Sequence, residues 1–333
     1  MKIKDKSILI TGGAGFIGSH LADRLLAEGA NRVIVYDNFS TGKKKYLEGK
    51  DIEIFNGDIL DYNHLNECAK NIDIISHHAA ELEVFTGINN TVHDLKTNII
   101  GTLNVLNAAI NNNIKKLVYA SSGGVYGQAQ EIPQTESHPL MPHWPYGVSK
   151  LAGEKYCTQY YLLYGLPTVS FRYGIVYGPR EWYGRVLTLF IKRALEGKSP
   201  IIFGNGEQRR DYVYVDDIVE ANVLAIKNDK ANGKVFNLGG DKAYSINQVA
   251  NLILRNVNLE ISPIYDNPEP GKASKHQPNR KRLPGELIDF ILDSSLIKKT
   301  LNYQAKTSFE EGIQKEIIWI KNNMDIWDCE PRV

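Results

Sequence analysis

Apolar and polar positions follow two textures in the first half of the chain. Residues 7–11, 32–36, 52–55, 73–77, 116–121 and 168–172 form short runs that are apolar or β-branched almost throughout. Such runs predict parallel strands covered on both faces. Between them, residues 16–28, 61–70, 92–112 and 146–164 place apolar side chains at helical spacing. Strand–helix alternation of this kind predicts an α/β fold: a doubly wound parallel sheet with helices on both sides, since the crossovers are right-handed.

The texture changes after about residue 175. Residues 210–215 with a helix over 216–227, and a strand over 234–238, read as returns to the sheet. Residues 185–197, 245–256 and the tail from 283 read as a smaller C-terminal α/β lobe. The expected division gives 1–174 plus about 210–240 to the first unit, and about 175–209 plus 241–333 to the second. Residues 266–284 are rich in Pro, Lys, Arg and Asn and lack periodicity. A connection this long is either mobile or covers a ligand.

Composition narrows the function classes. The 333 residues carry 39 Lys+Arg against 38 Asp+Glu, a formal charge of +1, so no global basic field recommends nucleic acid as a partner. Lys43, Lys44 and Lys45 form one compact basic run that reads as a solvated loop. No apolar stretch approaches the roughly 20 residues that span a bilayer, and no membrane partner is expected. The opening residues lack the apolar core of a secretory leader. Cys68, Cys157 and Cys329 are far apart and without C-x-x-C spacing. That argues against a disulfide framework or zinc site and for a reducing cytoplasm.

The first strand runs into Gly12-Gly13-Ala14-Gly15-Phe16-Ile17-Gly18 and then a helix. Glycines let the backbone turn sharply and approach a pyrophosphate, and the helix N-terminus offers free N–H groups to it. The second strand ends at Asp37, 19 residues beyond Gly18. A carboxylate there can hydrogen-bond the ribose 2′-hydroxyl of NAD and would repel the 2′-phosphate of NADP.

Tyr146 and Lys150 open a helix four residues apart, which puts phenol and ammonium on one face. The ammonium and a bound nicotinamide ring are expected to pull the phenol toward neutrality. Such a tyrosine removes a proton from a sugar hydroxyl while hydride leaves the same carbon. Ser122 lies at the carboxyl end of the strand over 116–121, where parallel sheets place ligand groups, and can hydrogen-bond the same oxygen.

Together these pieces resemble the extended short-chain dehydrogenase/reductase family, with its Rossmann-type sheet, and within it the nucleotide-sugar epimerase/dehydratase branch. The resemblance covers roughly residues 6–313. It rests on T-G-G-A-G-F-I-G at 11–18, G-D-I at 57–59, H-x-A-A at 77–80, N-x-x-G-T at 98–102, S-S-G-G-V-Y-G at 121–127, Y-G-V-S-K at 146–150, R-Y at 172–173, Y-G-P-R at 177–180, the run at 204–217 and P-G-E at 284–286. It implies that Gly12, Gly15, Phe16, Ile17, Asp37, Asn38, Asp58, Ile59, Ala79, Ala80, Asn98, Tyr146, Lys150 and Tyr173 hold NAD. It implies a catalytic set of Ser122, Tyr146 and Lys150. Arg210 would clamp a nucleotide diphosphate, and Arg282, one residue off the usual arginine, is the second candidate. Ser122 and Tyr146 would also contact the sugar. Relatives dimerise through two helices, so a homodimer through 92–112 and 146–164 is expected.

The resemblance also orders the possible reactions. Dehydratases and decarboxylases of the branch carry acidic groups where this chain has Gly123 and Gly124, which favours a 4-epimerase acting on a UDP-hexose. Dehydration or oxidoreduction is the enzymatic alternative, and a non-catalytic NAD-binding module the alternative of another class. Three departures stand out. Ile175 replaces the asparagine that usually holds the diphosphate, and Trp144 replaces a small serine. Glu81 and Glu83 are acidic where relatives are neutral; they face solvent, repel a uronate, or supply an extra acid/base. His77 and His78 point to opposite faces of a strand and give no metal site.

Overall fold

The computed structural model describes residues 1–240 and 242–327. In the first half, β1 (Ser7–Thr11), β2 (Arg32–Asp37), β3 (Glu53–Asn56), β4 (Ile74–His77), β5 (Lys116–Ser122) and β6 (Thr168–Tyr173) alternate with helices. These are α1 (Phe16–Ala27), α2 (Tyr62–Cys68), the consecutive α3 (Val84–Asn89), α4 (Thr91–Leu95) and α5 (Gly101–Asn111), and α6 (Pro145–Tyr164). The second half contains β7 (Ile175–Tyr177), α7 (Val186–Leu195), β8 (Ile201–Phe203), β9 (Arg209–Tyr214), α8 (Val215–Lys227) and β10 (Lys234–Leu238). It continues with β11 (Ala243–Ser245), α9 (Ile246–Asn256), β12 (Ile264–Asp266), β13 (Asp289–Phe290), α10 (Ser295–Leu301) and α11 (Phe309–Asn322).

Seven strands form one sheet in the order β10-β6-β5-β4-β1-β2-β3, every neighbouring pair parallel. The order reverses between β1 and β4, where diverging crossovers leave a crevice at the carboxyl ends of the strands. All five residues of β1 are buried, as a central strand covered on both faces requires. The edge strand β3 is largely exposed and accordingly less apolar.

The segment expected over 210–215 does not return to this sheet. It is β9, which pairs with β7, β11 and β13 in a separate four-stranded sheet. Only α8 comes back to the first layer, against α1. The apolar run Tyr212–Val215 is buried in either arrangement, so its composition carried no trace of the sheet it joins.

Helix α6 starts at Pro145, whose fixed φ and missing N–H suit a first turn, and stops at Gly165 in the left-handed region, φ 68°. It is tied to β6 by a buried fork in which Arg172 donates from Nε to Glu154 Oε2 (2.8 Å) and from Nη2 to Oε1 (2.6 Å). Ser121 Oγ also donates to Glu154 Oε2, at 3.0 Å. The helix expected over 92–112 is present, but a π-helical turn, Lys96–Ile100, interrupts it between α4 and α5. Cys68 and Cys157 are free thiols, and Cys329 lies outside the described residues. Among the described residues no helix is long and apolar enough to cross a membrane.

Candidate active site

The glycine turn after β1 is shaped by close approach. Gly12 has φ 69°, and a side chain there would meet the Ala79 backbone at 2.6 Å. A side chain at Gly18 would strike the Gly12 carbonyl at 2.3 Å. The turn therefore delivers Gly15, Phe16 and Ile17 at the start of α1 to the floor of a cavity. Gly15 caps α1 without a side-chain hydrogen bond, leaving the first N–H groups of the helix for an anion. Asp37 lines the same cavity; its Oδ2 accepts from Ala14 N (2.9 Å) and its Oδ1 from Phe39 N (2.8 Å). Burial raises this carboxyl, and the two N–H groups oppose the rise. Asn38, Asp58, Ile59, Ala79, Ala80, Tyr146, Lys150 and Tyr173 complete the wall expected of a dinucleotide site. The turn, the anion-ready helix end and the Asp37 carboxylate fit NAD.

Asn98 is the exception among the expected cofactor residues. It is buried in the π-helical turn and does not line the cavity. Its Nδ2 donates to Glu81 O (2.8 Å), Asp94 Oδ2 (3.0 Å) and Ser149 Oγ (3.0 Å), and its Oδ1 accepts from Glu81 N (2.9 Å). It thus braces the loop after β4 against α6, one residue before Lys150.

A second cavity opens beyond the first, and the two share Ser122, Tyr146, Tyr173, Gly174, Glu181, Tyr183 and Arg185. Ser122 and Tyr146 thus stand where cofactor and substrate would meet. Ser122 Oγ accepts from Gly124 N at 3.0 Å, which turns the chain out of β5. Lys150 donates to Ala120 O at 2.9 Å, and its ammonium lies 5.9 Å from the Tyr146 ring centroid. Burial lowers Lys150 to about 8 against the pull of Asp94. Burial raises the Tyr146 phenol, while Arg185 and the Ser122 hydroxyl draw it down. The Lys150 ammonium lies beside the Tyr146 ring as expected, and Arg185 is a second cation that draws the phenol down.

At the far end of the second cavity stand Arg210, Arg280 and Lys281. Arg210 donates to Ile288 O (3.1 Å), and Arg280 donates to Ile201 O (2.8 Å) and stacks on Phe203 at 4.1 Å. Arg282 is outside the cavity lining. It donates to Glu286 Oε2 at 3.3 Å and to Asn267, so the second arginine of this end is Arg280 instead. Residues 266–284, open in the sequence between a mobile and a covering loop, supply this arginine from the cavity wall. Ile175 and Trp144 both line the cavity, and the Trp144 indole donates to Pro284 O at 2.7 Å.

Of the two acidic loop residues, Glu83 is buried against the second cavity and caps α3 by accepting from Phe85 N at 3.1 Å. A solvent-facing Glu83 is therefore corrected. Glu81 accepts from Glu83 N at 2.9 Å and pairs with His93 at 3.3 Å. His77 bridges Thr11 (2.7 Å) and Thr102 (3.0 Å), while His78 lines the first cavity, held neutral by burial at about 3.

The sequence matches the NAD dependent epimerase/dehydratase family over residues 8–239, which span the glycine turn, Ser122, Tyr146 and Lys150. The chain belongs to that family. It is an NAD-dependent enzyme of nucleotide-sugar chemistry. It is 38% identical to a putative UDP-glucose 4-epimerase of Methanocaldococcus jannaschii, with 95% of this chain and 99% of the relative covered. It is 34% identical to a UDP-N-acetyl-alpha-D-glucosaminuronate decarboxylase of Bacillus cytotoxicus, covering 95% and 98%. The fold superposes with a TM-score of 0.87 on the UDP-glucose 4-epimerase of Thermotoga maritima solved with UDP-glucose, at 34% identity and 96% and 99% coverage.

Sequence reasoning missed Glu181, Tyr183, Arg185 and Arg280. The first three follow the Y-G-P-R motif directly, in Glu181-Trp182-Tyr183-Gly184-Arg185. Their charge in an otherwise apolar approach to α7 was the available signal.

Proposed function

We propose that this enzyme is a nucleotide-sugar 4-epimerase acting on a UDP-hexose. One observation carries the reading: Ser122 and Tyr146 stand at the junction of the two cavities with Lys150 lining the first, and positions 123 and 124 beside them bear no side chain. A Cβ at Gly123 would come within 2.4 Å of the Phe290 ring, which would have to shift to admit an acid or base, while at Gly124 the nearest atom is Ser122 Oγ at 3.2 Å. Elimination needs such a group; inversion through a ketone does not.

Ionised Tyr146 takes the proton of the sugar 4-hydroxyl and returns it to the same oxygen after the 4-keto sugar has turned over. Ser122 hydrogen-bonds that oxygen. Arg185 favours the ionised phenol, and Lys150, anchored on Ala120, fixes the floor beneath it. Arg210 and Arg280 suit the diphosphate. They take over an anchoring task that Ile175, without a donor, leaves open. Bound NAD supplies the hydride exchange at the sugar carbon. Replacing Tyr146 by Phe is expected to lower UDP-glucose to UDP-galactose conversion by about 10²–10⁴-fold while NAD stays bound. Unreduced turnover in that variant overturns the role.

A second reading rests on Glu83, an acidic side chain of the loop after β4 that is buried against the substrate cavity. As an extra acid/base it would permit a dehydratase reaction, which exchanges the sugar C5 proton with solvent; 4-epimerisation does not. Deuterium at C5 after turnover in heavy water decides between them.

The homodimer belongs to this reading as well. Val92, Leu95 and Ile100 on one helix run, and Val148, Leu162, Leu163 and Tyr164 on α6, are exposed on the single chain. Apolar stripes on these two helices suit a second copy of the chain.

A further inference from the structure

Glu181 and Glu316 form a buried acid pair that the reaction described above does not use. Glu181 lies between the left-handed Arg180, φ 71°, and Trp182. Its backbone is pinned from two directions: Glu181 N donates to Gly178 O at 3.1 Å, and the Trp327 indole donates to Glu181 O at 2.6 Å. The preceding loop is held as well, with His20 on Pro179 O at 2.8 Å and Arg180 on Asp23 at 2.7 Å. The backbone that carries the side chain is therefore held in place. Glu181 is 4% exposed, and what exposure it has faces the junction of the two cavities. Glu316, on α11, is 1% exposed.

Neither carboxyl has the partners that burial demands. Oε2 of Glu181 and both oxygens of Glu316 accept no hydrogen bond among the described residues. Two carboxylates buried together cannot both ionise, since each desolvated charge repels the other. The remaining groups that face the pair are Arg185 at the start of α7, Tyr212 and Tyr214 on β9, and Tyr177 on β7. The three phenols are all raised by burial and stay uncharged, so Arg185 alone favours ionisation.

We propose that Glu181 is a further sugar-binding residue, working as an undissociated carboxylic acid that donates a hydrogen bond to an oxygen of the bound sugar. Burial, with no partner for Oε2, keeps it undissociated. The assignment rests on the nucleotide-sugar reading and adds to it one donor. A donor at this junction suits a reaction whose intermediate is a ketone, because a carbonyl oxygen only accepts. An ionised carboxylate in the same place would face that oxygen with like charge. Burial pushes Glu181 up to about 8 against the pull of Arg185; burial and then Glu181 push Glu316 well above the usual carboxylate range. The donor is thus present at neutral pH and lost in mild alkali.

The test is calorimetric titration of the NAD-loaded Tyr146→Phe protein with UDP-glucose, and with UDP as the probe lacking a sugar, from pH 7 to pH 9. The affinity ratio of UDP-glucose to UDP is expected to fall by about tenfold over that range, as one ionisation centred near 8 requires. Adding Glu181→Gln, which keeps a neutral donor, removes the fall. It also leaves the ratio at pH 7 about fivefold or more above that of Glu181→Ala, the value of one hydrogen bond. A ratio that stays flat to pH 9, or a Glu181→Gln variant as weak as Glu181→Ala, overturns the assignment. If Glu181→Ala does not fold, the pH profile of the parent and of Glu181→Gln still decides. Failure of the epimerase reading is recorded separately, as the absence of UDP-galactose formation by the unsubstituted enzyme.

Discussion

The ammonium of Lys150 donates to the carbonyl oxygen of Ala120 at 2.9 Å, joining the first turn of α6 to the last residues of β5. The two elements that carry Tyr146 and Ser122 are thus locked together beneath the site. Lys150 is 3% exposed, and burial has already lowered it to about 8. Lys150→Met keeps the volume and removes the lock. Its kcat for UDP-glucose epimerisation is expected to fall by about 10²-fold or more, with a smaller loss of NAD retention. Steady-state kinetics and the absorbance of released NAD measure the two.

Arg185 draws the Tyr146 phenol down against a larger upward push from burial. Removing the cation makes the phenol more basic, so more alkali is needed to ionise it. Arg185→Gln is therefore expected to shift the acidic limb of the kcat–pH profile to higher pH. A limb that does not move shows that Arg185 acts on the substrate alone.

Asn98 spends all its hydrogen-bonding capacity on the Glu81 backbone, Asp94 and Ser149. Asn98→Ala leaves the Glu81 N–H and carbonyl unpaired beside the first cavity. Unsatisfied buried groups cost about 1–3 kcal/mol each. The variant is expected to lose stability on that scale in urea and to release NAD more readily on gel filtration.

The fork between Arg172 and Glu154 is almost fully buried, at 3% and 1% side-chain exposure. Breaking one side leaves a charge without its partner, a loss of about 3–5 kcal/mol. Arg172→Ala is expected to unfold at correspondingly lower urea concentration, while Tyr126→Phe, which removes the 2.7 Å contacts from Arg172 Nη1 and to Asn237 Oδ1, costs about 1–3 kcal/mol.

Glu181 has its folded value raised from 4.5 to about 8. The associated stability is complete below the unfolded value of about 4.5 and is lost as pH rises through about 8. Glu316→Gln removes a second carboxyl that burial likewise raises well above the usual carboxylate range. It is expected to raise the melting temperature at pH 8 and to raise it less at pH 5, as differential scanning calorimetry would record.

The strands of the large sheet were legible because a buried parallel strand must be apolar on both faces, and Ser7–Thr11 or Lys116–Ser122 meet that demand within a few residues. The cofactor wall was legible because glycines at fixed spacing and a carboxylate at the end of the second strand have few other uses. Asn98 was misplaced by one layer: its motif marks the site, but the π-helical turn that buries its side chain is set by packing against α6. Arg282 follows from an offset to the P-G-E motif, and spacing of that kind carries no signal for Arg280. The chain in between, pinned by contacts such as Ala273 with Lys281, selects which guanidinium enters.

The sequence by itself determined the layered α/β architecture, the dinucleotide turn, and the company of Ser122, Tyr146 and Lys150, since local backbone chemistry and burial pattern specify each of these. Tertiary structure alone decided that Arg185 acts on the phenol against its burial, that β9 leaves the large sheet, and that Glu181 is buried at the junction of the two cavities. Electrostatics and desolvation act through space, and carboxyls 135 positions apart in the chain are both pushed toward their protonated forms only when folding buries them.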